Sequence, residues 1–193
     1  MNRFEIVAAL FGVVSVFLSV RQNIWSWPTA IVNVGMYIVV FYRSKLYSDT
    51  GLQVVYVVLN FYGWYQWLYG GKNRTELPVT RTSSRLWAIL AVIAAVSTMA
   101  LGTFVSRNTD AALPYMDALT TSTSLVAQWM MTRKLLENWI IWVSVDVVYI
   151  GMYIYKDLLV TAVLYLVFLV LSVMGYIQWK RTLNRPEAVP VPA

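Results

Sequence analysis

The chain contains no cysteine and no histidine, and charged residues make up only 12% of its 193 residues. Without cysteine it has no disulfide, no thiolate nucleophile and no thiolate-bound metal. Without histidine it lacks the commonest general base and the commonest metal ligand. These absences exclude histidine-triad hydrolases and zinc enzymes, so we expect no catalytic residue, no metal and no cofactor.

Hydrophobic residues, by contrast, account for 59% of the chain, against about 45–50% in soluble domains. One small core cannot hide that much apolar surface from water, so the excess is expected to face the lipid bilayer. The net charge of +6 is carried by short basic clusters between apolar runs, a pattern typical of cytoplasmic loops rather than of nucleic-acid binding. The first apolar run has no signal-peptide cleavage site. The composition therefore predicts a multi-pass membrane protein.

Seven apolar stretches are long enough to cross about 30 Å of hydrocarbon as helices. They lie near 4–20, 24–42, 52–70, 86–105, 114–132, 138–155 and 159–179. The longest polar stretch, 71–85, divides the chain. The proline-containing end from residue 181 is expected to be a disordered cytoplasmic tail.

The basic residues are distributed unequally between the two sides of this predicted bundle. Five lie on the side of the N-terminus: Arg3, Arg43, Lys45, Arg107 and Lys156. Ten lie on the opposite side: Arg21, Lys72, Arg74, Arg81, Arg85, Arg133, Lys134, Lys180, Arg181 and Arg185. The positive-inside rule therefore predicts an outside N-terminus and a cytoplasmic C-terminus.

An internal repeat appears when the sequence is compared with itself at the offset that aligns Trp27 with Trp139. Twelve identities fall between positions 21 and 67 at this offset without a gap, Gly63 with Gly175 among them. About a tenth of positions should match by chance, and shared hydrophobicity does not explain the tryptophan and glycine matches. Spans 1–3 therefore correspond to spans 5–7. We call two residues that are aligned at this offset repeat mates.

Both sets of three spans begin on the same side, so the repeats are parallel and span 4 is the linker between them. The predicted fold class is an all-α integral membrane protein with seven transmembrane helices in a parallel 3+1+3 repeat. Residues 1–71 form the first repeat, 72–112 a cytoplasmic loop and the linker helix, 113–180 the second repeat, and 181–193 the tail. Parallel halves of this kind are one known way to build an alternating-access carrier.

A few polar side chains lie deep within the predicted spans, where polar groups are costly and usually functional. Asn33, Asn60 and Asp146 each lie about 12–14 Å from a helix end at 1.5 Å per residue, close to the bilayer midplane. Gln128 lies nearer the cytoplasmic end of span 5. Separate helices thus bring hydrogen-bonding groups to one level, where carriers of this type bind substrate.

Span 6 carries a stripe of Trp142, Asp146, Tyr149 and Tyr153 at i, i+4, i+7 and i+11, which places them on one helix face. Flat rings beside a carboxylate suit a flat, polar or cationic ligand. The spans offer Asp146 no Lys or Arg partner, so we expect it either to be protonated or to pair with a cationic ligand. A structural alternative is that Asp146 forms an inter-helix hydrogen bond that fixes packing.

Span 3 carries a second stripe, formed by Gln53, Tyr56, Asn60, either Gly63 or Trp64, and Trp67. Gln53 and Asn60 differ from their repeat mates, Tyr165 and Ser172, and an asymmetric ligand needs an asymmetric site. Gly63 and Gly175 are expected to allow close helix approach. Four tryptophans at cytoplasmic helix ends are expected to anchor them at the membrane interface: Trp25, Trp27, Trp67 and Trp179. A gating role is the alternative for Trp25 and Trp27.

Several motifs in this sequence are similar to those of the nicotinamide riboside transporter family (PnuC type). The first half contains W-P-x-x-I-V-N-V at 27–34, L-Y-x-D-x-x-L-Q at 46–53 and Y-G-W-Y-Q-W at 62–67. The second half contains M-x-R-K-x-x-E-N-W-x-x-W-x-x-x-D at 131–146. The resemblance covers about residues 4–180, with span 4 the least distinctive part.

The resemblance implies vitamin or nucleoside uptake across the bacterial inner membrane by facilitated diffusion, through a fold like that of the SWEET sugar exporters. It also implies a homotrimer and a functional link to a cytoplasmic kinase that phosphorylates the ligand and traps it. The family motif W-x-x-x-N falls on Trp142 and Asp146, so an Asp replaces the Asn. The carboxylate still accepts hydrogen bonds from ribose hydroxyls and favours a cationic ring.

The hypothesis that follows is a nicotinamide riboside uniporter. Its candidate substrate-binding residues are Asn33, Gln53, Tyr56, Asn60, Trp64, Gln128, Trp142, Asp146, Tyr149 and Tyr153. Thiamine is also cationic, and riboflavin or a deoxynucleoside remain alternatives. An intramembrane enzyme would need a nucleophile or an acid–base pair at depth, where Asp146 is the only strong candidate. A membrane scaffold without a ligand would leave the convergence of amides unexplained.

Overall fold

The computed structural model describes residues 3–43, 47–109, 113–155 and 157–184, and within them the chain is helical. Seven α-helices follow one another: α1 (Arg3–Val20), α2 (Ser26–Arg43), α3 (Tyr47–Tyr69), α4 (Ser84–Asn108), α5 (Pro114–Thr132), α6 (Asn138–Tyr155) and α7 (Leu159–Leu183). A short 3₁₀ turn, Lys72–Arg74, lies between α3 and α4. The all-helical prediction is confirmed.

Each predicted span corresponds to one helix, with differences at the ends. Helix α3 begins five residues earlier than expected, at Tyr47, because periodicity alone does not mark where a helix starts. The expectation that the tail is disordered from residue 181 is wrong at its start, since α7 continues to Leu183; residues 185–193 lie outside the described part of the chain. Helices α4, α6 and α7 are long and apolar enough to cross a membrane, and Phe4–Val20 is a shorter apolar helix.

The helices pack in pairs that occur twice. Helix α2 packs between α1 and α3, and α6 packs between α5 and α7. Two further contacts join the two groups, α1 with α7 and α3 with α5. At the offset of the sequence repeat, the contact of α1 with α2 corresponds to that of α5 with α6, and the contact of α2 with α3 to that of α6 with α7. The contact of α1 with α7 likewise corresponds to that of α5 with α3. Helix α4 packs on α5, and this contact has no counterpart among these pairs.

Four tryptophans, Trp27, Trp67, Trp139 and Trp179, form one cluster at the end of the bundle near the α1–α2 and α5–α6 loops. Trp27 meets Trp67 edge-on at 5.2 Å, and Trp139 meets Trp179 edge-on at 5.4 Å between ring centroids. Each is at most 2% exposed. The expectation that Trp27, Trp67 and Trp179 anchor helix ends in the membrane interface is therefore wrong, because these rings pack against one another across the bundle.

Two indole N–H groups of this tryptophan cluster cross between the groups of helices. Trp67 Nε1 donates to the carbonyl of Met131 at 3.0 Å, and Trp179 Nε1 donates to the carbonyl of Ser19 at 3.0 Å. Met131 and Ser19 are themselves repeat mates. The glycines behave as expected: a Cβ on Gly63 would overlap the ring of Trp27, and the equivalent Cβ on Gly175 would overlap Trp139.

The α1–α2 loop and the α5–α6 loop have the same backbone conformation at equivalent positions, since Gln22 (φ 55°) and Lys134 (φ 48°) are both left-handed. The α3–α4 connection breaks this likeness. Thr80 donates its N–H to the carbonyl of Lys134 at 3.1 Å and accepts from Leu136 N–H at 2.9 Å. The carboxylate of Glu137 accepts from Thr82 N–H at 2.8 Å. The connection thus forms hydrogen bonds with the α5–α6 loop.

Lys134 is buried beneath this connection, with its ammonium 4.6 Å from the centroid of a Trp67 ring. Burial lowers the pKa of Lys134 because the charged form loses its hydration, and the nearby charge of Glu76 raises the pKa in partial compensation.

Candidate functional site

A cavity of about 590 Å³ lies between the two groups of helices, a size typical of small-molecule sites. It extends from Glu5 and Phe41, near the end of the bundle where α1 begins, to Ser19 and Ser26 beside the tryptophan cluster. Nine of the ten predicted binding residues line it: Asn33, Gln53, Tyr56, Asn60, Gln128, Trp142, Asp146, Tyr149 and Tyr153.

Trp64 is the predicted residue that the structure places elsewhere. It is half-buried and packs against the tryptophan cluster rather than lining the cavity. Its repeat mate Tyr176 packs against the same cluster. Trp64 follows Gly63, and the ring of Trp27 packs against α3 at Gly63.

The amides of the cavity are held by contacts between helices. Gln128 Nε2 on α5 donates to Asn60 Oδ1 on α3 at 2.9 Å. Asn33 Nδ2 on α2 donates to the carbonyl of Ala8 on α1 at 2.6 Å. Asn60 is only 2% exposed, so its hydrogen bond satisfies a group that would otherwise be costly to bury. These bonds fix amides from separate helices at one cavity.

Asp146 is 3% exposed and accepts a hydrogen bond from Ser172 Oγ on α7 at 3.1 Å. That bond fits the structural alternative of an inter-helix contact, but it occupies only one position on the carboxylate. Among the described residues, no Lys or Arg lines the cavity. The carboxylate therefore has no protein counter-charge there, and a ligand cation would supply one.

Aromatic rings line the part of the cavity between Asp146 and its Phe41 end. Tyr149 and Tyr153 stack at 5.8 Å with an interplanar angle of 18°, and Tyr165 lies 4.7 Å from Tyr149. Phe168 meets Tyr165 edge-on at 5.7 Å. On α2, Tyr37 and Phe41, the repeat mates of Tyr149 and Tyr153, also stack. Such surfaces accept flat rings by stacking and cations by cation–π attraction.

Several cavity residues were missed by the sequence argument, which favoured positions that differ between the repeats. Tyr165, Phe168 and Ser172 line the cavity, and they are the repeat mates of Gln53, Tyr56 and Asn60. Tyr37 and Phe41 were missed in the same way. The offset of the sequence identities could have identified them, because it aligns each of them with a residue that also lines the cavity.

The chemistry of this site is non-covalent binding. Amides, one carboxylate and stacked rings surround a chamber between apolar helices, the arrangement of a multi-pass transporter of small polar molecules. The comparisons with known proteins agree with that class, since residues 2–181 match the model of the family described as "Nicotinamide mononucleotide transporter". The chain belongs to this family, whose members are transporters and not enzymes.

Similar proteins include the nicotinamide riboside transporter PnuC of Escherichia coli (strain K12), 26% identical over 204 residues covering 93% of this chain and 85% of that protein. The riboflavin/roseoflavin transporter RibM of Streptomyces davaonensis is 26% identical over 199 residues, 98% of this chain and 91% of that protein. Among solved structures, that of the vitamin B3 transporter PnuC superimposes with a TM-score of 0.75 at 27% identity, covering 94% of this chain and 82% of that one.

Proposed function

We propose that this protein carries nicotinamide riboside into the cell by facilitated diffusion. The observation that carries the proposal is the charge and surface of the cavity: stacked aromatic rings and a buried carboxylate, with no Lys or Arg among its described residues. A cationic pyridinium ring with a neutral sugar matches both features.

In this proposal Tyr149, Tyr153 and Trp142 contact the ring, and Asp146 provides the counter-charge. The amides of Asn33, Gln53, Asn60 and Gln128, with the phenol of Tyr56, bind the carboxamide and ribose. Trp64 acts indirectly, through the packing of the tryptophan cluster.

The cavity favours the riboside over its phosphorylated form. A phosphate would bring at least one negative charge beside Asp146 and Glu5 with no basic side chain among the described cavity residues to receive it. We therefore propose uptake of the unphosphorylated vitamin, followed by phosphorylation by a cytoplasmic kinase, after which the charged product cannot leave.

We further propose that the transporter is built from two parallel three-helix halves joined by α4, and that it works by alternating access. The support is the single offset shared by the sequence identities, the helix contacts and the two crossing indole hydrogen bonds. The tryptophan cluster then closes the cytoplasmic end of the cavity. Movement of one half against the other would break both indole bonds together.

The remaining parts of the proposal concern the cell. The excess of Lys and Arg on the side of the tryptophan cluster supports an outside N-terminus and a cytoplasmic C-terminus. The family resemblance supports the bacterial inner membrane and a homotrimer.

Riboflavin is the second candidate substrate, because the riboflavin/roseoflavin transporter RibM matches 98% of this chain. Its flat ring suits the tyrosine surface, but it is neutral and would leave Asp146 without a counter-charge. Thiamine is also cationic, so the charge of the cavity does not distinguish it from nicotinamide riboside, and a comparison of their binding affinities is needed.

The test is binding to purified protein by calorimetry, followed by uptake into liposomes. Nicotinamide riboside, thiamine, riboflavin and nicotinamide mononucleotide form the panel. We expect nicotinamide riboside to bind most tightly and the mononucleotide at least about tenfold more weakly, equivalent to about 1.4 kcal/mol. Tighter binding of thiamine or riboflavin would replace the substrate, and uptake of none of them would favour a scaffold.

A further inference from the structure

Helix α5 contains a run of five hydroxyl residues, Thr120 to Ser124, in the middle of a span. Two of them bond to their own helix: Thr120 Oγ1 to the carbonyl of Met116 at 3.0 Å, and Thr123 Oγ1 to that of Leu119 at 2.5 Å. Such bonds satisfy hydroxyls in apolar surroundings. They do not account for the rest of the run.

Ser124 is 3% exposed and lines the cavity, yet its hydroxyl forms no hydrogen bond with the described residues. The phenols of Tyr56 and Tyr149 lie within the looser range of a hydrogen bond to it, but neither forms one of good distance and angle. A buried hydroxyl without a partner is costly. Because Ser124 lines the cavity, a ligand bound there can reach its hydroxyl and supply the missing partner.

Ser124 belongs to a polar stripe along α5. Thr121, Ser124 and Gln128 follow at i, i+3 and i+7, and all three line the cavity. Their repeat mates on α1, which are Ala9, Gly12 and Val16, also line it but carry no polar side chain. At these three levels the wall of the cavity is therefore polar on the α5 side and apolar on the α1 side.

We infer that Thr121 and Ser124 form a subsite for the polyhydroxylated arm of the ligand, with Gln128 continuing it towards Asn60. Each hydroxyl both donates and accepts, as the hydroxyls of a sugar or ribityl chain do. The stripe is about 10 Å long at 1.5 Å per residue, enough for a ribose lying along α5. The ring then lies against the tyrosines of α6 and α7. This inference rests on the proposed function, since it assigns the sugar of the same ligand.

Ser124→Ala and the isosteric Thr121→Val test it, with nicotinamide riboside and its 2′,3′-dideoxy analogue as ligands in calorimetry. Each variant should weaken binding of the riboside about fivefold or more, the usual worth of one hydrogen bond, and leave binding of the dideoxy analogue unchanged. The matched control is Ser122→Ala: that hydroxyl is equally buried and unbonded, but it does not line the cavity. Its variant should bind both ligands like the wild type.

The variants remove hydroxyls without creating a large cavity, so an unchanged unfolding temperature separates binding from folding. Binding of the riboside at wild-type affinity by both variants would overturn the subsite, as would an equal loss for both ligands. If wild-type protein does not bind the riboside, the proposed substrate fails and riboflavin is compared with lumiflavin, which lacks the ribityl arm. Loss of riboflavin binding alone in Ser124→Ala would then support the subsite. Unchanged riboflavin binding in Ser124→Ala, or a wild-type protein that binds neither riboflavin nor lumiflavin, would overturn the subsite.

Discussion

The carboxylate of Asp146 is the residue on which ligand charge depends. It is buried, it accepts one hydrogen bond from Ser172, and the described cavity offers it no basic partner. A fixed negative charge at this depth costs about 2.5–3.5 kcal/mol on insertion scales, and a bound cation would offset that cost.

We predict that Asp146→Asn weakens binding of nicotinamide riboside about 10- to 100-fold, because hydrogen bonds and pairs involving a charge are worth about 1.5–3 kcal/mol. Binding of neutral riboflavin should change little. Asp117→Asn is the control, since Asp117 lies on α5 but does not line the cavity. Equal losses for both ligands would show that Asp146 supports packing.

Transport by the same variant tests coupling to protons. In liposomes Asp146→Asn should keep downhill flux if the protein is a uniporter. Loss of pH-dependent accumulation in the variant would instead indicate proton coupling.

Lys134 supplies a second prediction at this scale. Because burial lowers its pKa below 10.5, the unfolded chain binds more protons than the folded one between the lowered pKa and 10.5. The free energy of unfolding should therefore rise with pH between the lowered pKa and 10.5. Below that range Lys134 is charged in both states, and its burial destabilises the folded state in full.

Lys134→Gln should flatten this rise, measured as the unfolding temperature of purified protein from pH 7 to 10. Glutamine suits the position, since Gln22 adopts the same left-handed backbone in the equivalent loop. Loss of the cation–π contact with Trp67 shifts the curve by about 0.5–2 kcal/mol, but it does not change the slope. An unchanged slope would contradict the prediction.

At the scale of helices, two glycines decide how closely α2 and α6 approach their neighbours. A Cβ at Gly63 or Gly175 would overlap Trp27 or Trp139, whereas a Cβ at Gly35 or Gly151 would meet no atom within 4 Å.

Gly63→Ala and Gly175→Ala should each destabilise the protein by about 1–3 kcal/mol, the usual cost of overpacking. Gly35→Ala and Gly151→Ala should be neutral or stabilising by about 0.5–1 kcal/mol, because alanine favours helix. Thermal unfolding of the four variants measures the contrast. Similar behaviour of all four would mean that the tryptophan rings are not held against these helices.

The crossing indole bonds define the other prediction for the helices. Trp67→Phe and Trp179→Phe keep a ring but remove the indole donors to the carbonyls of Met131 and Ser19, which keep their backbone donors. Each substitution should weaken closure of that end by about 0.5–1.5 kcal/mol.

The measurement is the rate at which maleimide reacts with Ser26→Cys from the cytoplasmic side. The natural chain has no cysteine, so this single thiol gives the only signal. Both substitutions should raise the rate about two- to tenfold, while Trp25→Phe should not, since Trp25 is 65% exposed. Rates that stay at the wild-type value would remove the tryptophan cluster from the closing mechanism.

For the whole molecule, the distribution of basic residues predicts its orientation in the membrane. Thr109→Cys should react with an impermeant maleimide added to intact cells, and Asn73→Cys should react only after the membrane is opened. Both positions are exposed: Asn73 lies in the connection before α4, and Thr109 directly follows the other end of α4. The reverse pattern would invert the proposed topology.

The sequence alone predicted the helical class, the seven helices of the described chain and nine of the residues that line the cavity. Hydrophobic length and helical periodicity are properties of a local segment, so they can be read without knowing its neighbours. The repeat added information between segments, since related positions meet around a shared cavity, although the argument from asymmetry overlooked Tyr165 and Phe168.

Only the tertiary structure decided which face of each helix meets another helix. It placed Trp64 outside the cavity, buried three tryptophans that were predicted at the interface, and left the hydroxyl of Ser124 without a hydrogen bond of good geometry. Those outcomes depend on contacts between residues far apart in the chain, such as Trp67 with Met131 and Trp179 with Ser19. The pattern of one helix does not contain them, because burial of a side chain is set by what packs against it.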